Sequence, residues 1–159
     1  YKLFCILPFE VEFYKKYQYD IEYVGHPLLD EIEQYQEQPK QELSIVPHKD
    51  FKKVSTALKN VGGFNYIAKD LDELIDSPIE IGNQTVFNFQ AANVNHTVAI
   101  YGEGNYDVEV LKKDMAKIVT AATDVFGQNP NKNYTFIVHN VVDGQGGLEH
   151  CNSTTLSDL

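Results

Sequence analysis

Positive charge is scarce in this chain of 159 residues: 13 Lys and Arg stand against 23 Asp and Glu, a formal net charge of -10. Such a surface repels nucleic acid and anionic lipid unless its cations cluster. They do not, since Lys15-Lys16, Lys52-Lys53 and Lys112-Lys113 are isolated pairs, so no nucleic-acid partner is expected. Cysteine is also rare. Cys5 and Cys151 stand near opposite ends with no Cys-x-x-Cys spacing, which excludes a thiolate metal cluster and leaves two reduced thiols. No apolar run approaches the roughly 20 residues that span a bilayer, and the start Tyr-Lys-Leu-Phe-Cys lacks a signal-peptide layout. A transmembrane segment is therefore not expected, and a cytoplasmic location is favoured. A first residue other than Met is expected of a chain that starts inside a longer protein.

What is present suffices for a packed domain: 43% of the residues are apolar, including nine Phe and ten Tyr. Leu3 to Leu7 is an apolar run suited to a buried strand, and Pro8 stands where a helix can begin without its amide. Phe9, Phe13 and Tyr17 recur at i, i+4 and i+8. Glu10 and Glu12 lie near the start of that helix and Lys15 and Lys16 near its end, matching the dipole. Ile21 to Val24 reads as a second strand, Gly25-His26-Pro27 as a turn, and Leu28, Leu29, Ile32 and Tyr35 as the buried side of a second helix. The order β-α-β-α favours a parallel α/β sheet.

The runs Ile6-Leu7-Pro8-Phe9-Glu10, Phe13-Tyr14 and Tyr23-Val24-Gly25-His26-Pro27-Leu28 resemble lipid A disaccharide synthase, over residues 1–38. The resemblance implies the end of a Rossmann-like domain in a glycosyltransferase of a Gram-negative bacterium, with a sugar-nucleotide domain to follow. His26 would contact substrate there or simply make a polar contact in the turn. Nothing after Gln38 offers the glycine-rich loop and helix N-terminus that hold a diphosphate. From Glu33 to Glu42 the sequence is polar and low in complexity, and Pro39 ends any helix. A join over residues 39–47 is expected.

Beyond it, Asp70 to Asp76 is acidic, and Gly82-Asn83 supplies a turn. Phe87, Phe89 and Ala91 alternate with Asn88 and Gln90; Asn93 to Asn95 then precede the strand-like run His96 to Tyr101. An antiparallel hairpin is expected, with His96 on its exposed face. Val108 to Phe126 carries Leu111, Met115, Ile118, Ala122 and Phe126 on one helical face, with Asp107 as N-cap and Gly127 as C-terminal stop. Met115 is then a core residue. Tyr134 to Val142 is apolar on both faces, as an interior strand is, and His139 within it reads as a hydrogen-bonded core group.

The string Gly146-Gly147-Leu148-Glu149-His150-Cys151-Asn152-Ser153-Thr154-Thr155 follows. With Asp76-Ser77-Pro78-Ile79 and Tyr101-Gly102-Glu103-Gly104, it resembles the glycyl aminopeptidase family of zinc metallopeptidases, over about residues 48–155. The resemblance implies an edge strand of a catalytic cleft, with Glu149 anchoring the free amine of a peptide and Gly146 and Gly147 lining the strand. The residue types suit that role: glycines admit a peptide backbone, and a carboxylate holds an α-amine by charge-assisted hydrogen bonds. The bland alternative is a glycine turn beside an exposed Glu.

Zinc peptidases place His-Glu-x-x-His on one helix face. The five histidines here are His26, His48, His96, His139 and His150, and none has a His four residues on. Catalytic and metal-ligand residues are accordingly expected to be absent, with zinc belonging to the full-length aminopeptidase. The fold expected is mixed α/β and α+β: a short β-α-β-α Rossmann-like piece, then an antiparallel hairpin, one long amphipathic helix and a buried strand. The function expected is an inactive aminopeptidase fragment, residues 48–159, behind a transferase-like leader. A lipid A disaccharide synthase and a non-enzymatic α/β binding module are the alternatives.

Overall fold

A computed structural model describes residues 3–25, 39–142 and 144–158. The chain divides into two compact units, Tyr1–Pro39 and Lys40–Leu159.

In the first unit, β1 (Leu3–Cys5), α1 (Pro8–Lys15) and β2 (Ile21–Tyr23) follow one another. The two strands pair in parallel, Leu3 opposite Ile21 and Cys5 opposite Tyr23, so the expected β-α-β order is observed. Pro8 opens α1, and the Glu10 carboxylate accepts from the Leu7 and Ile6 amides at 2.9 and 3.2 Å. It satisfies donors that a helix start leaves unpaired. The stripe Phe9, Phe13 and Tyr17 exists, with the Phe13 and Tyr17 rings 5.5 Å apart, but all three side chains are exposed. His26, Pro27 and the expected helix through Leu28, Leu29, Ile32 and Tyr35 lie outside the described residues.

The second unit begins with short strands that the sequence pattern did not announce. β3 (Gln41–Ser44), β5 (Lys59–Gly62) and β6 (Asn65–Ala68) form an antiparallel sheet in the order β3-β6-β5. β4 (Lys53–Thr56) pairs with β7 (Ile79–Gly82). Between β6 and β7 lies α2 (Leu71–Ile75), whose N-cap Asp70 accepts from the Glu73 amide at 2.7 Å. Leu58, Tyr66 and Ala68 form a small core with Leu43, Val54, Leu74 and Ile79 around it.

A five-stranded mixed sheet follows, ordered β11-β12-β10-β9-β8. β8 (Thr85–Ala91) and β9 (Val94–Tyr101) form the expected hairpin. Its two-residue turn is Ala92-Asn93, with φ of 50° and 61°, as the right-handed strand twist favours. The turn thus closes earlier than Asn93 to Asn95, because Val94 is already buried in the sheet. α3 (Val108–Phe126) crosses from β9 to β10 (Asn133–Asn140), which pair in parallel. Asp107 accepts from the Glu109 and Val110 amides, and Gly127 ends the helix at φ 77°, both as expected.

α3 packs Val108, Leu111, Met115, Ala116 and Val119 onto Phe87, Phe89, Ala91, Val98 and Ile100. Met115 packs against the core as expected, half-buried. Ile118, Ala122 and Phe126, expected on the same buried face, are exposed. Ile118 and Ala122 stand to one side of the contact line, and no described residue buries the helix end at Phe126. β10 is central and apolar on both faces: Phe136 and Val138 pack with the α3 cluster, while Ile137 is buried on the other side. The strand ends at Asn140 rather than Val142. β12 (Ser153–Asp158) runs parallel to β10, and β11 (Gly146–Glu149) runs antiparallel to β12 at the sheet edge.

Candidate substrate-binding edge

The Gly-Gly-Leu-Glu run is β11, paired among the described residues only with β12. Its register sets Gly147 opposite Leu156 and Glu149 opposite Thr154. The His150 amide donates to the Ser153 carbonyl at 2.9 Å. Hydrogen-bonded and open pairs alternate along an antiparallel ladder, so Leu148 and Gly146 also bond towards β12. Gly147 and Glu149 then direct their amides and carbonyls to the open edge. A Cβ on Gly147 would lie 2.9 Å from Leu156 Cδ2 and 3.3 Å from the Thr155 carbonyl, so only glycine fits without displacing Leu156. Gly146 has φ 123° and open space around it.

Side chains alternate across a strand, which puts Gly147 and Glu149 on one sheet face. Through the pairing of Thr154 with Phe136, that is the face carrying α3. Tyr134 shares it. Burial first, and the nearby Glu149 carboxylate second, push the Tyr134 phenol above its usual pKa. Tyr134 Oη donates to the Ser153 carbonyl at 3.0 Å, the oxygen that also receives the His150 amide. Glu149 itself is exposed.

Immediately after Glu149 the chain is held from outside the sheet. His150 Nδ1 donates to Asp76 Oδ1 at 3.1 Å, and the Cys151 amide donates to Asp76 Oδ2 at 2.8 Å. The Cys151 amide foremost, then His150, hold the Asp76 carboxyl below the usual carboxylate pKa. His139 Nε2 contacts Glu80 Oε2 at 2.7 Å, and its ring meets Tyr101 edge-on with centroids 5.5 Å apart. It is hydrogen-bonded as expected, though half-exposed rather than core.

His96 corrects the sequence reading. It is 2% exposed and stacks on Phe89 with centroids 4.7 Å apart and planes within 9°. The register pairs Phe89 with His96, and paired residues share a face, so an inward Phe89 requires an inward His96. His48 pairs at the surface with Asp50. Cys5 is buried and Cys151 exposed, both as free thiols.

Tyr101-Gly102-Glu103-Gly104 packs against the end of β10. A Cβ on Gly102, at φ 89°, would overlap the Asn140 carbonyl, and one on Gly104 would lie 2.8 Å from Asn140 Nδ2. Beside them a crevice of about 360 Å³ runs between Tyr106, Leu111, Met115, Val138 and Asn140. In the sequence Asp76 stands in the run Asp76-Ser77-Pro78-Ile79 with nothing to announce its role, and Tyr134 is one residue of an apolar strand with no motif to mark it as part of the site. The spacing of two residues between Tyr134 and the half-buried, apolar Phe136 was the available signal.

Among solved structures, the chain is similar to an aminopeptidase N family protein from Idiomarina loihiensis. Identity is 32%, the TM-score is 0.71, and the match covers 77% of this chain and 22% of that one. It is also similar to an M1 zinc metallopeptidase from Deinococcus radiodurans at 14% identity and TM-score 0.42, covering 74% of this chain and 27% of that one. The sequence model of the lipid-A-disaccharide synthetase family matches residues 1–57. Both resemblances are supported. No curated protein matches the sequence. The chain spans about a fifth of the Idiomarina protein's length. The transferase match runs past residue 38, into the start of the second unit.

The residues here do not fit a zinc centre: among the described residues no group of three His, Cys, Asp or Glu side chains could hold a metal ion. His139 and His150 are engaged separately, by Glu80 and Asp76. No helix among the described residues is long and apolar enough to cross a membrane.

Proposed function

We propose that residues 48–159 are a segment of a zinc-dependent aminopeptidase that releases Gly- or Ala-type residues from peptide N-termini, and that residues 1–38 are a transferase-like leader joined to it through residues 39–47. The observation that carries this is the position of Gly146-Gly147-Leu148-Glu149 on an open sheet edge, in a chain 32% identical to an aminopeptidase N family protein over 77% of its length. A peptide laid along β11 would bond to the outward groups of Gly147 and Glu149 and offer its ammonium group to the Glu149 carboxylate. The glycines let its backbone approach.

Within these 159 residues this edge binds and orients; no His-Glu-x-x-His is present to activate water. Zinc and the residues that hold it belong, on this reading, to the full-length aminopeptidase. A Gly-Ala-Ala amide should therefore bind without being hydrolysed, even with added zinc. Binding should vanish when the peptide is N-acetylated or when Glu149→Gln removes the charge. Equal binding of the acetylated peptide would refute this function, and zinc-dependent turnover by the purified chain would refute its inactivity.

The match of residues 1–57 to lipid-A-disaccharide synthetase favours a second reading, a glycosyltransferase acting on a UDP-linked acylated glucosamine. Transfer of that sugar by the purified chain would establish it in place of the first.

A further inference from the structure

We propose that Asp76 is a positioning residue for the peptide-amine anchor, gripping the two residues after Glu149 so that the carboxylate of Glu149 stands at a fixed place on the open edge; this rests on the reading of Glu149 as that anchor. β11 has four residues and, among the described residues, one neighbouring strand. Short edge strands with exposed backbone open readily. The ladder's own contribution past Glu149 is the His150 amide bond to the Ser153 carbonyl.

Asp76 adds two charge-assisted bonds there, one from a side chain and one from the backbone, 3.1 and 2.8 Å long. Each of its oxygens takes one. It reaches them from a part of the chain 74 residues earlier, just after α2, and the next residue, Ser77, is buried. The grip therefore comes from a distant stretch of the chain rather than from the hairpin it restrains. A carboxylate can only accept, so His150 is held with its proton on Nδ1. That orients the imidazole and pins Cys151 at once, and Glu149, bonded covalently to His150, inherits the restraint. Anchoring groups act well only when a second set of contacts holds them to within roughly 0.5 Å.

The test follows the Glu149 carboxyl carbon by NMR in the labelled 159-residue chain during titration with Gly-Ala-Ala amide, together with amide hydrogen exchange. Asp76→Ala should weaken the tripeptide about tenfold and speed exchange at Leu148 and His150, with exchange at Phe87 and Val98 unchanged. Asp76→Asn, which keeps one accepting oxygen, should fall between. Glu149→Gln should abolish binding with exchange unaltered, which separates the anchor from its support. Unchanged tripeptide affinity in Asp76→Ala overturns the proposal whatever the exchange rates do. If the wild-type chain binds no peptide, the anchor reading has failed, and exchange alone decides Asp76: faster exchange at Leu148 and His150 sustains the grip, and unchanged exchange rejects it.

Discussion

The imidazole of His96 has almost no contact with water, and burial holds its pKa below the usual 6.5. Above about pH 6.5 it is neutral folded and unfolded, and contributes no pH dependence. As the pH falls from there towards the folded value, the unfolded chain takes up a proton that the fold refuses, and stability is lost. Urea unfolding at pH 7.5 and pH 5 should show that loss, and His96→Phe, which preserves the stack on Phe89, should remove most of it. An equal acid sensitivity in that variant would assign it elsewhere. Two glycines give a second contrast. Gly102→Ala must force a Cβ into the Asn140 carbonyl at a positive φ, whereas Gly127→Ala meets positive φ but open space. The first should cost more than about 2 kcal/mol and the second about 1 kcal/mol by urea midpoints. The burial of His96 was legible in principle, because an inward Phe89 and a two-residue turn at Ala92-Asn93 fix its face.

At the scale of elements, what could be read depended on whether an element carries its own periodicity. α3 does: its 19 residues hold a repeating apolar stripe between Asp107 and Gly127, and its ends and its Leu111 and Met115 contacts were foreseeable. The far half of the stripe was misplaced, because periodicity gives a helix face but not where the neighbouring sheet stops. β3 to β7 carry no such signal. Each has four residues, too few for alternation to stand out, and Gln41, Lys53 and Asn65 are no more strand-like than loop residues. The open edge at β11 was legible only through resemblance, since a glycine pair also suits a turn. The cap on α3 can be tested: Asp107→Ala removes the acceptor of two amide bonds and should lower stability by about 1 kcal/mol, with Asp107→Ser recovering most of it.

On the scale of the molecule, apolar surface is the feature that most affects behaviour in solution. Ile118, Val125 and Phe126 are each about two-thirds exposed or more, Phe126 reaching 80%. Ile118, Ala122 and Phe126 line an open groove with Pro130, Tyr134 and Phe136. Single exposed hydrophobics are common, but a contiguous set attracts apolar dyes. The chain should therefore bind the dye ANS while folded and unfold over a broad thermal range; a sharp transition without dye binding would contradict this. Placing the effect in the groove needs a variant that alters the surface without altering the core. Phe126→Gln does so, because a side chain already in water contributes little burial to lose. It should cut dye fluorescence while shifting unfolding by less than about 0.5 kcal/mol. A Phe126→Gln variant that instead unfolds markedly more easily would mean that Phe126 is packed against other groups in solution, and that the helix end is covered rather than open.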